Sequence, residues 1–216
     1  MSNDELERWV TDELFWDPKV DGDAIAVTAD DGKVTLRGTV GSFHQKREAQ
    51  KAAERVYGVK SVDNDLKVKI LSEDGKEDAD LRGDVLQALM LDSLVPPTID
   101  AKVSDGWVTL TGTAEWQYQR DEAELIAGNV FGVVGVDDAI ELDTPQPSAG
   151  DVKESIENSF KRNAKLDAKG LSVNTFDGTV SVSGTVSSWA EHDEAIDAAW
   201  AAPGVTNVED GILVEY

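Results

Sequence analysis

The chain has 216 residues, 40% of them hydrophobic and 29% charged, a balance typical of a folded protein and unlike a disordered one. Its net charge of −23 opposes binding to nucleic acid, where phosphates are met by lysine and arginine, and simple adsorption onto anionic lipid. The absence of cysteine excludes disulfide bonds and thiolate metal sites, and no apolar run is long enough to span a membrane.

The N-terminal segment does not look like an export signal. It reads MSNDELERWV, which lacks the basic start and the apolar stretch of a signal peptide. We therefore expect the chain as written to be cytoplasmic, or periplasmic if the sequence is the mature form of an exported precursor.

A helix and a β-hairpin are the first predicted elements. Ser2 and Glu5 have the spacing of a capping box, and the apolar residues after them recur with a helical period as far as Phe15. Apolar residues then alternate on both sides of Asp31-Gly32, a dipeptide that favours the positive φ angles of a tight turn.

A second helix and a third strand follow. Ser42 and Gln45 form another capping-box candidate, and Gly58 is expected at the C′ position of the helix, where a left-handed φ is needed. One face of this helix is small and apolar and carries Ala49, Ala52, Ala53 and Val56. A last strand is predicted from the alternating residues Leu66, Val68 and Ile70.

The same pattern occurs three times. The phrases DGKVTLRGTV, DGWVTLTGTA and DGTVSVSGTV begin at residues 31, 105 and 177, and a Gly-Val pair follows each at 58, 132 and 204. Two independent markers thus share one spacing, which indicates tandem copies. We expect domains, called repeats 1, 2 and 3, at 1–72, 79–143 and 149–216. The linkers between them are SEDGKEDAD (72–80) and TPQPSAG (144–150).

The fold class follows from what each copy must bury. A three-stranded sheet has one face to cover, and two amphipathic helices can cover it. A helical crossover between the second and third strands makes these two strands parallel. We therefore predict an α+β protein of three tandem αββαβ modules, each a mixed three-stranded sheet with two helices on one face.

The segment from the second strand to the third resembles a BON domain in every repeat. The three segments are GTVGSFHQKREAQKAAERVYGVKSVDNDL, GTAEWQYQRDEAELIAGNVFGVVGVDDAI and GTVSSWAEHDEAIDAAWAAPGVTNVEDGI. The resemblance implies a non-enzymatic bacterial binding protein of the envelope or of the osmotic stress response, most often associated with phospholipid or membrane surfaces. One type within the family binds potassium.

Residues able to do chemistry are few. His44 and His192 occupy non-equivalent positions and are expected to be exposed on helices, without the fixed partners of a catalytic or metal-binding histidine. A calcium site is considered for four carboxylates that lack the twelve-residue loop and are instead expected in solvated turns: Asp21, Asp23, Asp63 and Asp65. We predict no catalytic residue, no metal and no cofactor, although potassium held by backbone carbonyls would leave no sequence trace.

One glycine in the second strand of each repeat is singled out by its position. These residues, Gly38, Gly112 and Gly184, are single and do not form the glycine-rich cradle of a phosphate loop. We expect each of them to relieve a crowded bend.

Repeat 1 carries a cationic ridge that the other repeats lack. Arg47, Lys51 and Arg55 are spaced i, i+4, i+8 on the side of the second helix opposite its apolar face. They are the predicted contacts for lipid head groups or other anions, and an ordinary solvated face is the alternative.

Repeat 3 differs through an apolar strip. Trp189, Ile196 and Trp200 lie off the alanine face of its second helix, and we predict an exposed contact surface there. The alternatives are packing between repeats or chains, which we favour, and folding of Trp189 into the core of its own repeat. Trp107, beside the hairpin turn of repeat 2, is another expected anchor.

Two functions remain open from the sequence. The first is association with a phospholipid or membrane surface, and the second is a soluble, stress-induced scaffold or chaperone-like protein with protein partners or self-association. An ion-responsive binding protein is a third alternative.

Overall fold

The structure is a computed structural model that describes residues 2–70, 76–144, 149–163 and 166–216. Two compact units are present, Met1–Thr113 with Arg120–Glu141 and Ala114–Gln119 with Leu142–Tyr216. Repeat 1 and most of repeat 2 therefore lie in the first unit, and repeat 3 lies in the second. Much of the predicted linkers falls outside the described residues, at 71–75 and 145–148.

Repeat 1 has the predicted order of helix, strand, strand, helix and strand. Its elements are α1 (Asn3–Trp16), β1 (Ile25–Asp30), β2 (Lys33–Val40), α2 (Phe43–Glu54) and β3 (Ser61–Val68). Both predicted helix caps form, because the hydroxyls of Ser2 and Ser42 accept hydrogen bonds from the amides of Glu5 and Gln45 at 3.2 Å. In the second cap the side-chain oxygen of Gln45 also accepts the Gly41 amide at 3.1 Å.

Repeats 2 and 3 have the same order of elements. In repeat 2 they are α3 (Asp78–Leu91), β4 (Asp100–Ser104), β5 (Trp107–Ala114), α4 (Gln117–Asn129) and β6 (Gly135–Leu142). In repeat 3 they are α5 (Ala149–Arg162), β7 (Leu171–Phe176), β8 (Thr179–Val186), α6 (Trp189–Trp200) and β9 (Asn207–Val214). The predicted α+β class with three tandem αββαβ modules is confirmed.

Each repeat contains one mixed sheet with its second strand in the centre. The strand orders are β1-β2-β3, β4-β5-β6 and β7-β8-β9. In repeat 1, β2 is antiparallel to β1 and parallel to β3, so that Val34 lies opposite both Ala29 and Val62. The predicted parallel pairing is therefore correct, and the helix between β2 and β3 makes the crossover that such a pairing requires.

The hairpin turns adopt the conformation predicted from their Asp-Gly sequences. Asp31 has a φ of 47° and Gly32 a φ of 87°, and the two equivalent pairs are alike. Positive φ at both central residues matches the twist of the flanking strands. The Gly32 carbonyl also accepts the Lys60 amide at 2.8 Å, which ties the hairpin to the start of β3.

The predicted C′ position of Gly58 is wrong. Helix α2 ends at Glu54 with Arg55 as its C-cap, so that Gly58 (φ 94°) lies farther along, in the turn before β3. Two short turns intervene, in which the amides of Val56 and Val59 donate to carbonyls three residues earlier. These turns place both valine side chains in the core, which explains why the chain makes two more turns after α2 before β3 begins.

The core of repeat 1 lies between one sheet face and the two helices. Its buried side chains include the predicted small face of α2, one stripe of α1 and alternate residues of the central strand: Ala49, Ala52, Ala53, Leu6, Val10, Leu14, Val34 and Leu36. On the opposite sheet face, Lys33 and Arg37 are exposed. The repeat therefore has one covered face and one open face, as two amphipathic helices on a small sheet require.

Two of the four carboxylates considered for calcium do not lie in turns. Asp63 and Asp65 are in β3, where they pair across the open sheet face with Lys33 at 2.7 Å and with Arg37 at 3.4 Å. Asp21 and Asp23 are exposed at a short 3-10 turn before β1, as expected. The strand pairs form because the parallel register brings residues of β2 and β3 side by side.

The glycine in each central strand does relieve crowding. A Cβ on Gly38 would stand 2.0 Å from the carbonyl oxygen of Ala24, and the equivalent distances at Gly112 and Gly184 are 2.2 and 2.0 Å. All three glycines have positive φ, 142°, 121° and 135°. Only glycine, which has no Cβ, can combine this backbone conformation with so close an approach of a carbonyl.

We predict that Gly38→Ala lowers the free energy of unfolding by more than about 2 kcal/mol, because such a backbone conformation alone costs roughly 1–3 kcal/mol. Urea unfolding followed by circular dichroism measures the loss. Gly41→Ala is the matched control, since its Cβ would meet only the Gln45 side-chain oxygen, at 3.8 Å. Equal losses in the two variants would contradict this account of Gly38.

Candidate functional site

The described residues contain no reaction centre that stands out by geometry. Within the ranges that the structure describes, no three or more His, Cys, Asp or Glu side chains gather as metal ligands. None of the described helices combines the length and the apolar character needed to cross a lipid bilayer. The three repeats differ instead in several surface positions of their helices.

The predicted cationic ridge of repeat 1 is largely matched by carboxylates. Arg55 donates to Asp17 at 2.7 Å and to Glu13 at 3.1 Å, and thereby joins α2 to α1. The Lys19 amide and then the Arg55 guanidinium lower the pKa of the Asp17 carboxyl. Lys51 is exposed and lies 3.8 Å from Glu48.

Glu48 is a buried acid that the helical pattern did not single out. Its carboxylate accepts the Lys19 ammonium at 2.7 Å, and this hydrogen bond lowers the pKa of Glu48 although burial opposes the shift. In repeat 3 the equivalent Glu194 accepts the Asn163 side-chain amide at 2.8 Å. A glutamate stands at this position in all three repeats, and that recurrence is the sequence signal for its role.

Arg47, the third residue of the ridge, lies where repeats 1 and 2 meet. A Cβ on Gly128 of α4 would stand 2.8 Å from the Phe43 ring and 3.2 Å from the Arg47 guanidinium. His44 at the start of α2 is half-buried and lies 2.9 Å from the Asn129 side-chain oxygen. The expectation that His44 is simply exposed is therefore wrong, because α4 of the next repeat approaches it.

Burial at this contact changes the acidity of one carboxyl group. Burial raises the pKa of Glu124 in α4, and the positive charge of Arg47 partly opposes that shift. Arg47 thus faces an acidic side chain of repeat 2 and is not simply presented to solvent.

The predicted apolar strip of repeat 3 is half-buried. Trp189, Ile196 and Trp200 pack against the core of their own repeat, an arrangement that the sequence left open for Trp189 alone. The strip is therefore only partly exposed, and its role as a contact surface stays a prediction.

Trp107 is exposed, as expected, but it is fixed in place. Its indole N–H donates to the Asp137 carboxylate at 2.8 Å, and 45% of the residue is exposed. The ring lies over Gly135, where a Cβ would come within 2.7 Å of it.

His192 is buried, in contrast to the expectation from the helical pattern. Its Nε2 lies 2.7 Å from Asp210 in β9 and its Nδ1 lies 3.1 Å from Asp193, with 9% of the residue exposed. The imidazole also makes an edge contact with the Trp189 ring at 4.8 Å. The side chain points from α6 towards the sheet, where a carboxylate on the third strand receives it.

The same position differs in chemistry between the repeats. In repeat 2, Arg120 donates to Asp138 at 2.9 Å, and in repeat 1 the Asn64 side chain donates to the Lys46 carbonyl at 2.8 Å. The contact between second helix and third strand is therefore kept while its ionisable group changes. Of these groups only the imidazole titrates near neutral pH.

The surroundings of His192 favour its protonated form. The hydrogen bond to Asp193 raises its pKa, burial lowers it, and the bond to Asp210 raises it again, with a net shift above the ordinary value. Because the folded pKa exceeds that of the unfolded chain, about 6.5, the stabilisation is complete below that pH. It is lost as the pH rises through the folded pKa.

A further set of exposed side chains was missed by the sequence patterns. Phe15 and Trp16 at the end of α1 and Met90 and Leu91 at the end of α3 are between 66% and 85% exposed. The equivalent end of α5 carries Lys161-Arg162. Apolar residues off the buried stripe, at the same place in two repeats, are the signal that could have found them.

Comparisons with known proteins match a family, a curated relative and several solved structures. The family described as "BON domain" matches residues 2–70, 77–144 and 148–216. Osmotically-inducible protein Y of Escherichia coli (strain K12) is 38% identical over 117 residues, which are 52% of this chain and 58% of that protein. The chain thus matches a little over half the length of this relative.

Two of the solved structures come from CdsD, a structural protein of the type III secretion system of Chlamydia trachomatis. Each is 13% identical to the chain, and the matches cover 98% and 100% of it and 92% and 100% of the solved chains. Their TM-scores of 0.28 and 0.27 are too low for the likeness to carry an argument.

We predict that unfolding of repeat 3 becomes easier as the pH rises from about 6.5, the pKa of an unfolded histidine, through the raised pKa of folded His192, because the charged form is then lost. The urea midpoint, followed in parallel with the NMR signals of the two imidazole rings, measures this. In His192→Arg the midpoint should stay level over that range, since Arg120 already fills the equivalent position in repeat 2 as a permanent cation.

The control for this prediction is the other histidine of the chain. His44→Gln should keep the pH dependence of the unmodified protein, because His44 is half-buried at a different contact. A His192 ring that titrates at or below the pKa of a free imidazole would rule out the assignment.

Proposed function

The chain belongs to the BON domain family, and from that membership we propose that it is a non-enzymatic osmotic-stress protein of the cell envelope which associates with phospholipid surfaces. The osmotic-stress part is supported by the curated relative, whose name is osmotically-inducible protein Y. The phospholipid part is supported by the exposed apolar ends of the first helices in repeats 1 and 2.

The single observation that carries the membrane proposal is the pair of apolar helix ends. Phe15 and Trp16 at the end of α1, and Met90 and Leu91 at the end of α3, have most of their surface exposed to water. Tryptophan suits the lipid–water interface because its ring is apolar and its N–H is polar. Full burial of one such side chain contributes roughly 1.5–3 kcal/mol. Burial of four such side chains therefore contributes more binding free energy than a single basic residue near an anionic surface, which contributes about 1 kcal/mol.

The net charge favours a neutral membrane surface over an anionic one. A chain that carries −23 is repelled by anionic head groups, and the cations of the predicted ridge are mostly engaged with carboxylates. Lys51 is the ridge residue with the loosest contact, at 3.8 Å from Glu48. We therefore assign the ridge a minor part, with Lys51 as its available charge, and we keep Trp107 as a second apolar anchor.

We predict that the protein floats with phosphatidylcholine vesicles at both low and high salt, because the contact is apolar. A triple variant, Phe15→Ser, Met90→Ser and Leu91→Ser, should bind at least about tenfold more weakly, equivalent to a loss of roughly 1.4 kcal/mol. Phe176→Ser is the matched control. It removes an apolar residue that is 82% exposed, at the end of β7 in repeat 3.

Two results would overturn the membrane proposal. The first is a wild-type chain that stays with the soluble fraction at every salt concentration. The second is equal flotation of the triple variant and the unmodified chain. Self-association that depends on Phe15, Met90 and Leu91 without any flotation would support the soluble scaffold instead.

Charge reversal at Lys51 tests the ridge separately. Lys51→Glu should change flotation on phosphatidylcholine by less than about twofold, because a net-neutral surface gives a single exposed charge little to bind. A large, salt-sensitive loss on this lipid would show that electrostatic attraction, and not apolar contact, holds the protein to the membrane.

A further inference from the structure

A small, open slot on repeat 1 is lined by two tryptophans and two carboxylates of the same helix. Its lining residues are Trp9, Asp12, Glu13 and Trp16 of α1 together with Val56, and its volume is about 290 Å³. The four helix residues are spaced i, i+3, i+4, i+7, so that they share one face. That face is next to the buried stripe of α1 but not part of it, because Trp9 and Trp16 stay 38% and 78% exposed.

The spacing suits a cation held between two aromatic faces. Seven residues of α-helix separate the Cα atoms of the two tryptophans by about 10.5 Å along the axis. Ring attraction of a cation extends to about 6 Å from the ring centroid, so a spacing of two helical turns allows one cation to approach both indoles. Tryptophan is the aromatic residue that makes the strongest contact of this kind.

The carboxylates give the slot a negative charge. Asp12 is exposed and forms no ion pair within the part of the chain that the structure describes. Glu13 is engaged with Arg55, which is itself drawn towards Asp17 at 2.7 Å. The slot therefore retains one unmatched carboxylate beside its indoles, and its charge complements a cationic ligand.

The chemistry of the lining selects among cations. A potassium ion or a primary ammonium is strongly hydrated and needs oxygen ligands in place of its water. The side chains that line the slot offer oxygens only from Asp12 and from Glu13, which is engaged with Arg55, whereas a methylated ammonium gives up little hydration and has apolar methyl groups to pack on the rings. The volume lies at the small end for ligand sites, which fits one small molecule or head group better than a peptide.

We infer that repeat 1 binds a small quaternary ammonium cation between Trp9 and Trp16, with Asp12 as the balancing charge. The ligand is a trimethylammonium group, either free in solution or carried by a zwitterionic lipid. The inference goes beyond the proposed membrane association and does not require it, since a free cation occupies the slot equally well.

The site is private to repeat 1. At the equivalent positions, counted from the buried stripe, α3 carries Asp84, Gln87, Ala88 and Leu91, and α5 carries Ser155, Asn158, Ser159 and Arg162. Neither set contains an aromatic ring, so one cation is expected to bind per chain.

The test is titration of the full-length, isotope-labelled protein with choline chloride, with sodium chloride at matched ionic strength as the reference. The indole N–H signals of Trp9 and Trp16 should shift and saturate with choline but not with sodium. Trp9→Ala and Asp12→Asn should each weaken binding by about fivefold, equivalent to roughly 1 kcal/mol for one cation–π or charge contact. Trp16→Phe, which keeps an aromatic face, should weaken it less than Trp16→Ala.

Trp107→Ala is the matched control because Trp107 of repeat 2 is also exposed but does not line the slot. It should leave the choline affinity unchanged. Choline-induced shifts that fail to saturate, or that are equal at Trp107, would overturn the inference. Circular dichroism checks that the exposed-residue variants remain folded.

A second arm separates the two sources of the ligand. If the slot takes the lipid head group, free choline competes with phosphatidylcholine vesicles in flotation and Trp9→Ala lowers flotation. If it takes the free cation, NMR detects choline binding, but neither added choline nor Trp9→Ala alters flotation. Absence of choline binding refutes the slot even where flotation through Phe15, Met90 and Leu91 persists, so the two proposals fail separately.

Discussion

In each repeat, the backbone carbonyl just before the first strand occupies the space that a side chain at the central-strand glycine would need. Ala24 makes this approach over Gly38, and the equivalents over Gly112 and Gly184 are as close. Gly38 is the register partner of Ile25, so the contact fixes the residue at which β1 begins. It thereby fixes where the chain from α1 enters the sheet, and hence which stripe of α1 covers it. A side chain here would push away the strand that the hairpin and the first helix both depend on.

With this frame fixed, the repeats differ in the groups that occupy equivalent positions. The contact between second helix and third strand uses a backbone carbonyl in repeat 1, the Arg120–Asp138 ion pair in repeat 2 and His192 with Asp210 in repeat 3. Each solution satisfies the buried polar atoms, but only the last depends on pH in the neutral range. The copies therefore share a fold but differ in their response to pH, and this difference comes from one side chain, His192.

Local periodic signals predicted the fold, whereas contacts between elements decided the sites. The Asp-Gly turns, the capping serines and the alanine face of α2 act within a few residues of chain, and the structure has them as predicted. The partner of His192 is 18 residues away on another element, and the partners of Arg55 lie 38 and 42 residues earlier, at the end of α1 and at its C-cap. A helical wheel gives the direction of a side chain but not what stands opposite. For the same reason it placed Trp189 and Trp200 on an exposed strip, although their rings reach the core.

The acidic charge and the exposed apolar groups of this chain act over different distances. Two copies that each carry −23 repel one another before Phe15 or Met90 can meet, which protects these side chains from self-association. The same repulsion keeps anionic surfaces away, but a zwitterionic surface or a methylated cation meets no such barrier. Added salt shortens the reach of the charges from about 10 Å at 0.1 M to about 3 Å at 1 M. Salt does not screen the apolar contacts. A rise in ionic strength therefore favours contact of the exposed apolar side chains with surfaces that the negative charge otherwise repels.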